Sequence, residues 1–119
     1  MKVLIVDDSR AMRLIVTRTL RQAGFESLEI EEATSGTDAV GKIAGRLPDV
    51  ILSDWNMPEM SGLELLELLR EKGYRGVFAF VTSEASEPMR ARAKEAGATA
   101  YLTKPFTPEM FRESLGGML

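Results

Sequence analysis

Apolar residues in this chain come in short runs, and four of these runs end directly on polar residues. They are residues 3–6 before Asp7 and Asp8, 50–52 before Ser53 and Asp54, 77–81 before Thr82, and 101–102 before Thr103 and Lys104. Short, nearly continuous apolar runs are typical of strands buried on both faces of a parallel sheet. Because the carboxyl ends of parallel strands meet at one edge, the pattern predicts a crevice holding three carboxylates, a hydroxyl and an ammonium.

Helical spacing fills the segments between these runs. The first helix is predicted over residues 9–23 with Gly24 after its end, and the second over residues 37–46. The Ser61 to Glu64 segment has the capping-box pattern that starts a third helix, which is expected to end near Gly73. Ser86 opens a fourth, and Thr107 with Pro108 opens the last. The residues expected to face inward are Met12, Ile15, Val16, Thr19, Leu20 and Ala23, then Val40, Ile43, Ala44 and Leu47, then Met89, Ala93 and Ala96, then Phe111, Leu115 and Met118.

Residues 27–33 alternate polar and apolar positions, unlike the other runs. Alternation of this kind indicates a strand half exposed to water, which places the second strand at the rim of the sheet. Five strands alternating with five helices through right-handed crossovers then favour an α/β, flavodoxin-like (βα)5 fold. This is a doubly wound parallel five-stranded sheet in the order 2-1-3-4-5. We predict one domain over residues 1–119.

Composition narrows the classes of function. The net charge of −3 argues against a binder of nucleic-acid backbones. Arg10, Arg13, Arg18 and Arg21 recur along the first helix, where a solvated face is the simpler interpretation. The chain has no cysteine and no histidine, so thiolate chemistry and a self-contained phosphohistidine are excluded. The N-terminus has neither a signal-peptide core nor a membrane span, and we expect a cytoplasmic protein with no membrane partner.

The three carboxylates can be interpreted in two ways. Asp7 and Asp8 follow the first strand, where Asp is favoured as a helix N-cap. Asp54 at the end of the adjacent strand weakens that interpretation, because three clustered carboxylates repel one another unless a cation compensates. Carboxylates without imidazole or thiolate suit a hard cation with few protein ligands, so we predict Mg²⁺, with Mn²⁺ as a substitute.

The remaining strand ends have simpler alternatives when each is taken alone. Lys104 could be an ordinary surface lysine, but Pro105 follows it, and a cis peptide bond there would direct the ammonium at the crevice. Thr82 could be a hydroxyl satisfied by a nearby backbone group. Chemically capable residues at all four strand ends are improbable by chance.

Four motifs together resemble a known family. They are Val6-Asp7-Asp8-Ser9-Arg10, Ser53-Asp54-Trp55-Asn56-Met57-Pro58, Val81-Thr82-Ser83 and Thr103-Lys104-Pro105-Phe106. In this order and spacing they resemble the receiver domain of two-component response regulators. Within that family the chain is most similar to the stand-alone chemotaxis regulators. The resemblance covers essentially the whole chain.

The resemblance implies a role for each site residue. Asp54 is expected to be the phosphoacceptor, which takes a phosphoryl group from a phosphohistidine of a partner histidine kinase. Asp7, Asp8, Asp54 and the backbone carbonyl of Asn56 are expected to hold Mg²⁺. Lys104 and the metal are expected to neutralise the charge of the phosphoryl oxygens.

The resemblance also implies a conformational switch. Thr82 is expected to donate its hydroxyl to the phosphoryl group, which frees space for the ring of Tyr101 to move inward. The output face is expected to comprise the fourth helix, the fifth strand and the fifth helix. Glu84 and Asn56 flank the site where they should tune hydrolysis of the acyl phosphate.

The implied partners are a histidine kinase, a flagellar motor switch protein or another protein target, and a phosphatase, with the chain itself a monomer. An output-free phosphate sink or a relay receiver is the main alternative, and the chain could be excised from a longer regulator. An FMN carrier is disfavoured by the two acids in the first loop. A Mg²⁺-dependent aspartyl-phosphate phosphatase is disfavoured because position 56 is Asn and not an acid. We therefore expect no enzyme activity beyond the protein's own phosphorylation and dephosphorylation.

Overall fold

The computed structural model describes residues 1–25, 27–84 and 86–117. Strands and helices alternate along this part of the chain. The strands are β1 (Lys2–Val6), β2 (Glu29–Ala33), β3 (Val50–Ser53), β4 (Val77–Thr82) and β5 (Ala100–Thr103). The helices are α1 (Arg10–Gln22), α2 (Gly36–Gly45), α3 (Gly62–Glu71), α4 (Glu87–Glu95) and α5 (Pro108–Leu115).

The five strands form one parallel sheet in the order β2-β1-β3-β4-β5, which confirms the predicted topology. β2 lies at one edge, as its alternating sequence indicated. In register, Val6 of β1 pairs with Ser53 of β3, and Thr82 of β4 pairs with Thr103 of β5. The polar residues after these positions therefore emerge at the same edge of the sheet.

Two apolar clusters cover the two faces of the sheet. One includes Ile51, Leu66 and Phe80 and packs beneath α2, α3 and α4, and the other includes Leu52, Leu20 and Phe111 and packs beneath α1 and α5. Alternate residues of β1, β3 and β4 face opposite clusters, which explains why these strands have nearly continuous apolar sequences. Helices therefore pack against both faces of the sheet whose carboxyl edge carries the polar residues.

Side-chain caps fix the starts of the helices. Ser9, Ser35, Ser61, Ser86 and Thr107 each accept a hydrogen bond from a backbone N–H in the first turn of the helix that follows. Ser61 and Glu64 complete the predicted capping box. Each such cap contributes about 1 kcal/mol.

The inward faces of two helices differ from the prediction. In α2 the buried positions include Ala39 and Ile43, whereas Ala44 and Leu47 are exposed. The helix ends at Gly45 and the chain becomes extended at Arg46, which carries Leu47 off the helical face. In α1, Ile15 is 43% exposed.

The other predicted inward residues within the described ranges are buried or half-buried. Val16, Leu20 and Ala23 of α1 are buried, as are Phe111 and Leu115 of α5. In α4 only Ala93 is buried, in agreement with a shallow inner face. The predicted inward position of Met118 lies outside the described residues. Within the described ranges, none of the helices has the length and apolar character needed to cross a bilayer.

Candidate phosphoacceptor and metal site

The carboxyl ends of β1 and β3 bring three acids together. One carboxylate oxygen from each of Asp7, Asp8 and Asp54 lies within 4.8 Å of the other two. Asp7 is buried, Asp54 is half-buried and Asp8 is exposed. The predicted convergence is therefore present, and it opens to solvent on the side of Asp8.

Asp7 is the most constrained of the three acids. Its backbone N–H donates to Ala33 of β2 at 3.1 Å, and its Oδ1 accepts from the Ser9 N–H at 2.8 Å. Its Oδ2 lies 4.0 Å from Lys104 Nζ. These contacts tie the residue to an adjacent strand, to the cap of α1 and to β5.

The pKa of Asp7 is raised. Burial is the largest cause, opposed by the Ser9 N–H hydrogen bond, and the nearby Asp54 carboxylate raises it further. Lys104 lowers it, and Asp8 adds a smaller upward effect. The expected repulsion among the carboxylates thus contributes, but removal of Asp7 from water contributes more.

Asp54 sits at the start of a tightly packed loop. Its backbone N–H donates to Val6 at 3.0 Å, and its Oδ1 accepts from the Trp55 N–H at 2.8 Å. The Gly62 N–H donates to the Trp55 carbonyl at 2.8 Å, so the start of α3 lies directly against the residue that follows Asp54. A Cβ at Gly62 would lie 2.1 Å from the Asp54 carbonyl oxygen, which is why only glycine fits there.

Lys104 reaches the site from β5. Its side chain is 22% exposed, and its backbone N–H donates to Thr82 at 2.9 Å. The Lys104–Pro105 peptide bond is cis, the isomer considered from the sequence. The ammonium is on the carboxylate side of the crevice, as predicted.

Thr82, Glu84 and Tyr101 form a connected group beside the site. The fully buried Thr82 accepts from the Glu84 N–H through Oγ1 at 3.2 Å, and the Tyr101 hydroxyl donates to the Glu84 carbonyl at 2.6 Å. The Asn56 amide donates to Glu84 Oε1 at 2.9 Å. Glu84 therefore links the loop after Asp54 to the two residues expected to act as the switch.

Tyr101 also contacts the aromatic cluster under α4. Its ring centroid lies 5.6 Å from that of Phe80 and 6.3 Å from that of Trp55. Arg90 of α4 lies over the Tyr101 ring at 4.8 Å, and Arg92 lies over Trp55 at 5.9 Å. The residue next to the candidate phosphoacceptor is thus in contact with the expected output face.

The predicted solvated position is wrong for Arg13. It was placed on a solvated face, yet it is 9% exposed, and its Nη1 donates to the Asp7 carbonyl at 2.7 Å. Its Nε donates to Glu32 Oε1 at 2.8 Å. The signal was available, because residue 13 shares the inward stripe of α1 with Val16 and Leu20 at spacings of three and seven.

The three carboxylates fit a magnesium ion. Oxygens on opposite sides of one Mg²⁺ lie about 4.1 Å apart, so a group already within 4.8 Å needs only small side-chain movements to bind it. The donor set consists of oxygens, the ligands that Mg²⁺ prefers. Asp8 and Asp54 are accessible to an arriving ion and to bound waters.

A cavity of about 420 Å³ lies away from this site. It is lined mainly by the ends of α2 and α3, with Ile43, Leu47, Leu69 and Tyr74 among its walls. These residues precede β3 and β4, so the cavity belongs to the amino edge of the sheet and contains none of the clustered carboxylates. We assign the functional site to the carboxyl edge because the convergent polar groups lie there.

The fold and the acidic crevice define a class of protein. The family model of the response regulator receiver domain matches residues 3–115, and the chain belongs to this family. Receiver domains are signalling proteins and not classical enzymes, and they bind Mg²⁺ at an acidic pocket.

Similarity to individual relatives narrows the class to the CheY type. The chain is 40% identical to the chemotaxis protein CheY homolog of Campylobacter jejuni, over 100% of this chain and 92% of the relative. The structure of chemotaxis protein CheY4 of Vibrio cholerae matches with a TM-score of 0.85 and 39% identity, over 99% of this chain and 98% of that one. A CheY-like receiver domain protein of Methanospirillum hungatei matches at 0.84 and 30% identity, over 98% of this chain and 90% of that chain.

Proposed function

We propose that this protein is a phosphorylation-dependent response regulator in which Asp54 accepts a phosphoryl group from a histidine kinase. The whole chain serves as one cytoplasmic receiver unit that changes its affinity for a partner protein. The observation that carries the proposal is the convergence of Asp7, Asp8 and Asp54 within 4.8 Å, with Lys104 at 4.0 Å from Asp7. Family membership and the CheY-type relatives support it.

The proposed reaction is an in-line transfer. An Asp54 carboxylate oxygen forms a bond to phosphorus while the bond from phosphorus to the donor imidazole nitrogen breaks, and the imidazole keeps the electron pair. Asp7, Asp8, Asp54 and the Asn56 backbone carbonyl are the proposed Mg²⁺ ligands. The bound ion supplies charge neutralisation at the phosphoryl oxygens.

Lys104 is proposed to pair with a phosphoryl oxygen of the modified Asp54. Its ammonium already faces the carboxylates, so only a small rearrangement separates its contact with Asp7 from a contact with an incoming anion. Fixed positive groups aimed at the transferring oxygens are the main source of catalysis in phosphoryl transfer. Lys104 therefore acts as a catalytic residue in this proposal.

Thr82 and Tyr101 are proposed to transmit the change. In the structure Thr82 Oγ1 accepts from the Glu84 N–H, and Tyr101 donates to the Glu84 carbonyl. In this proposal the Thr82 side chain rotates so that its hydroxyl donates to a phosphoryl oxygen, and the rotation moves Oγ1 away from the Glu84 N–H. The loop after β4 then shifts, and with it the ring of Tyr101 and the α4 surface that Arg90 fixes to it.

The proposed partner binds the surface formed by α4, β5 and α5. Two of the relatives are chemotaxis proteins, so the proposed output is control of a flagellar motor switch protein. A histidine kinase is the proposed phosphoryl donor, and a separate phosphatase is the third proposed partner. α4 is held by only one fully buried residue, Ala93, which makes it the helix best able to shift. The protein is proposed to act as a monomer.

A labelling experiment tests the phosphoacceptor. Acetyl phosphate with Mg²⁺ should add one phosphoryl group to the wild-type protein, detected by intact mass, and Asp54→Asn should abolish it. Beryllofluoride with Mg²⁺ should quench Trp55 fluorescence, because Trp55 follows Asp54 directly. Full labelling of the Asn variant would refute the assignment of Asp54.

A binding experiment tests the output. Wild-type protein with beryllofluoride and Mg²⁺ should bind a flagellar-switch peptide more tightly than the untreated protein, and Tyr101→Ala should weaken the difference. Labelling by a kinase without any change in peptide binding would indicate a phosphate sink or relay receiver. Sustained turnover of phosphomonoesters would indicate a phosphatase instead.

A further inference from the structure

Arg13 makes two contacts that connect the edge of the sheet to the acidic crevice. Its Nη1 donates to the backbone carbonyl of Asp7 at 2.7 Å in a buried hydrogen bond. Its Nε donates to Glu32 of β2 at 2.8 Å, and Lys42 of α2 donates to the Glu32 carbonyl. The Arg13 side chain is 11% exposed and that of Glu32 is 49% exposed, so the bond to the Asp7 carbonyl is withdrawn from water whereas the pair with Glu32 is partly solvated.

The carbonyl that Arg13 holds belongs to the peptide group between Asp7 and Asp8. Rotation of this group would leave Asp7 in place and would swing the backbone of Asp8, because the peptide is planar and carries the Asp8 nitrogen. Asp7 is fixed independently through Ala33 and Ser9. The hydrogen bond from Arg13 therefore constrains the position of Asp8 relative to Asp7.

We infer that Arg13 is a positioning residue for the cation site, holding the Asp7–Asp8 peptide so that both carboxylates point into the crevice. This inference rests on the proposed function, since it concerns the ligands of the proposed Mg²⁺ site. Without Arg13, the buried carbonyl loses its partner and the peptide turns to find another donor. Asp8, which is exposed, then samples positions from which it cannot bind the same ion.

The direction of the change in Mg²⁺ affinity distinguishes a positioning role of Arg13 from a purely electrostatic one. A guanidinium near a cation site repels the cation, so its removal should tighten Mg²⁺ binding if electrostatics alone mattered. A positioning role predicts weaker Mg²⁺ binding after Arg13 is replaced. Loss of groups that orient metal ligands typically weakens affinity by about 10- to 100-fold, so we expect a loss of about 10-fold for one hydrogen-bonded carbonyl.

The test is the Mg²⁺ dissociation constant of three variants of the whole protein, measured by isothermal titration and by Trp55 fluorescence. Arg13→Met keeps the aliphatic stem and removes the donors, and Arg13→Lys keeps the charge but not the two-pronged geometry. Arg46→Met is the matched control. It breaks the exposed pair of Arg46 with Glu29, at 2.8 and 2.9 Å, at the other end of β2.

We expect about 10-fold weaker Mg²⁺ binding for Arg13→Met, an intermediate loss for Arg13→Lys, and no change for Arg46→Met. Urea unfolding without metal would show how much stability each variant loses. If Arg13 had a purely structural role, its replacement would lower stability but leave the Mg²⁺ dissociation constant of the folded protein unchanged. Equal or tighter Mg²⁺ binding by Arg13→Met would overturn the inference. If that variant does not fold, wild-type affinity in Arg13→Lys would overturn it.

The wild-type titration distinguishes this inference from the proposed function. Saturable Mg²⁺ binding that Asp8→Asn weakens supports the site itself, whatever the Arg13 variants do. Absence of Mg²⁺ binding by the wild-type protein would overturn both.

Discussion

Gly62→Ala is expected to damage the phosphoacceptor loop while leaving the rest of the fold in place. The new Cβ would lie 2.1 Å from the Asp54 carbonyl oxygen and 2.9 Å from Phe80 Cε1. Reaching ordinary contact at 3.4 Å requires the Cβ and the carbonyl to separate by 1.3 Å. Both atoms belong to constrained backbone, since Asp54 is bound to β1 and Gly62 to Trp55, so a side-chain rotation cannot relieve the overlap.

The expected losses of stability and of labelling rate follow from this displacement. Overpacking of a filled site costs about 1–3 kcal/mol, and we expect the upper end of this range because backbone must move. A misplacement of about 1 Å in a reacting group can cost about 100-fold in rate. Gly62→Ala should thus lose about 3 kcal/mol in the free energy of unfolding, and its labelling by acetyl phosphate should be about 100-fold slower than wild type.

Gly41→Ala is the matched control, because a Cβ at Gly41 would meet nothing within 4 Å and the position lies inside α2. This variant should gain up to about 1 kcal/mol from the better helix propensity of alanine and should be labelled normally. Urea unfolding gives the stabilities, and intact mass over time gives the labelling rates. Wild-type stability together with the wild-type labelling rate in Gly62→Ala would refute the reasoning.

Three further predictions concern stability. Burial raises the pKa of Tyr74 to about 12, so the phenol ionises more readily in the unfolded chain, and the free energy of unfolding should fall by about 2–3 kcal/mol between about pH 10 and pH 12. Tyr74→Phe should flatten this decline in alkaline urea titrations, and it should lose about 1 kcal/mol at pH 7 because the Pro48 carbonyl is left unpaired. Because the pKa of Asp7 is raised, its charged form destabilises the metal-free protein at any pH above the range in which an ordinary carboxyl ionises, and Asp7→Asn should raise the melting temperature measured without Mg²⁺. Mg²⁺ at 100 times its dissociation constant should add about 2.7 kcal/mol to the free energy of unfolding of the wild type and much less to that of the variant. Ser61→Ala should cost about 1 kcal/mol in urea unfolding through loss of the capping box, and an unchanged midpoint would contradict that assignment.

The strand ends could be predicted from the sequence because a buried parallel strand leaves a local signature. Each of the four runs is nearly continuous in apolar residues, and the first one or two polar residues after it lie at the edge of the sheet. Asp7, Asp54, Thr82 and Lys104 were all placed correctly by this rule. The strand order followed from the half-polar edge strand and the short connections.

The parts that could not be predicted depend on partners distant in the chain. The spacing of Arg13 with Val16 and Leu20 indicates its inward position, but its partner could not be predicted, because only the pairing of β2 with β1 brings Glu32 to it from 19 residues away. The inward face of α2 was misjudged at Leu47 because the helix ends at Gly45, and nothing local distinguishes a continuing helix from an extended turn there. The periodicity of apolar residues predicts which face of a helix is buried, whereas the residue at which the helix ends depends on the groups that pack against its last turn.

The crevice divides into a fixed half and a responsive half. On the side of β2 and α1, Asp7 is held through its N–H by Ala33, through its carbonyl by Arg13 and through its Oδ1 by Ser9. On the side of β4 and β5, Thr82 and Tyr101 share one hydrogen-bonded partner, Glu84. A residue held by three separate hydrogen bonds resists displacement when a neighbour is modified, whereas hydroxyls that share one loop can exchange partners at little cost. Modification of Asp54, which lies between the two halves, should therefore displace the β4 and β5 side and leave Asp7 where it is.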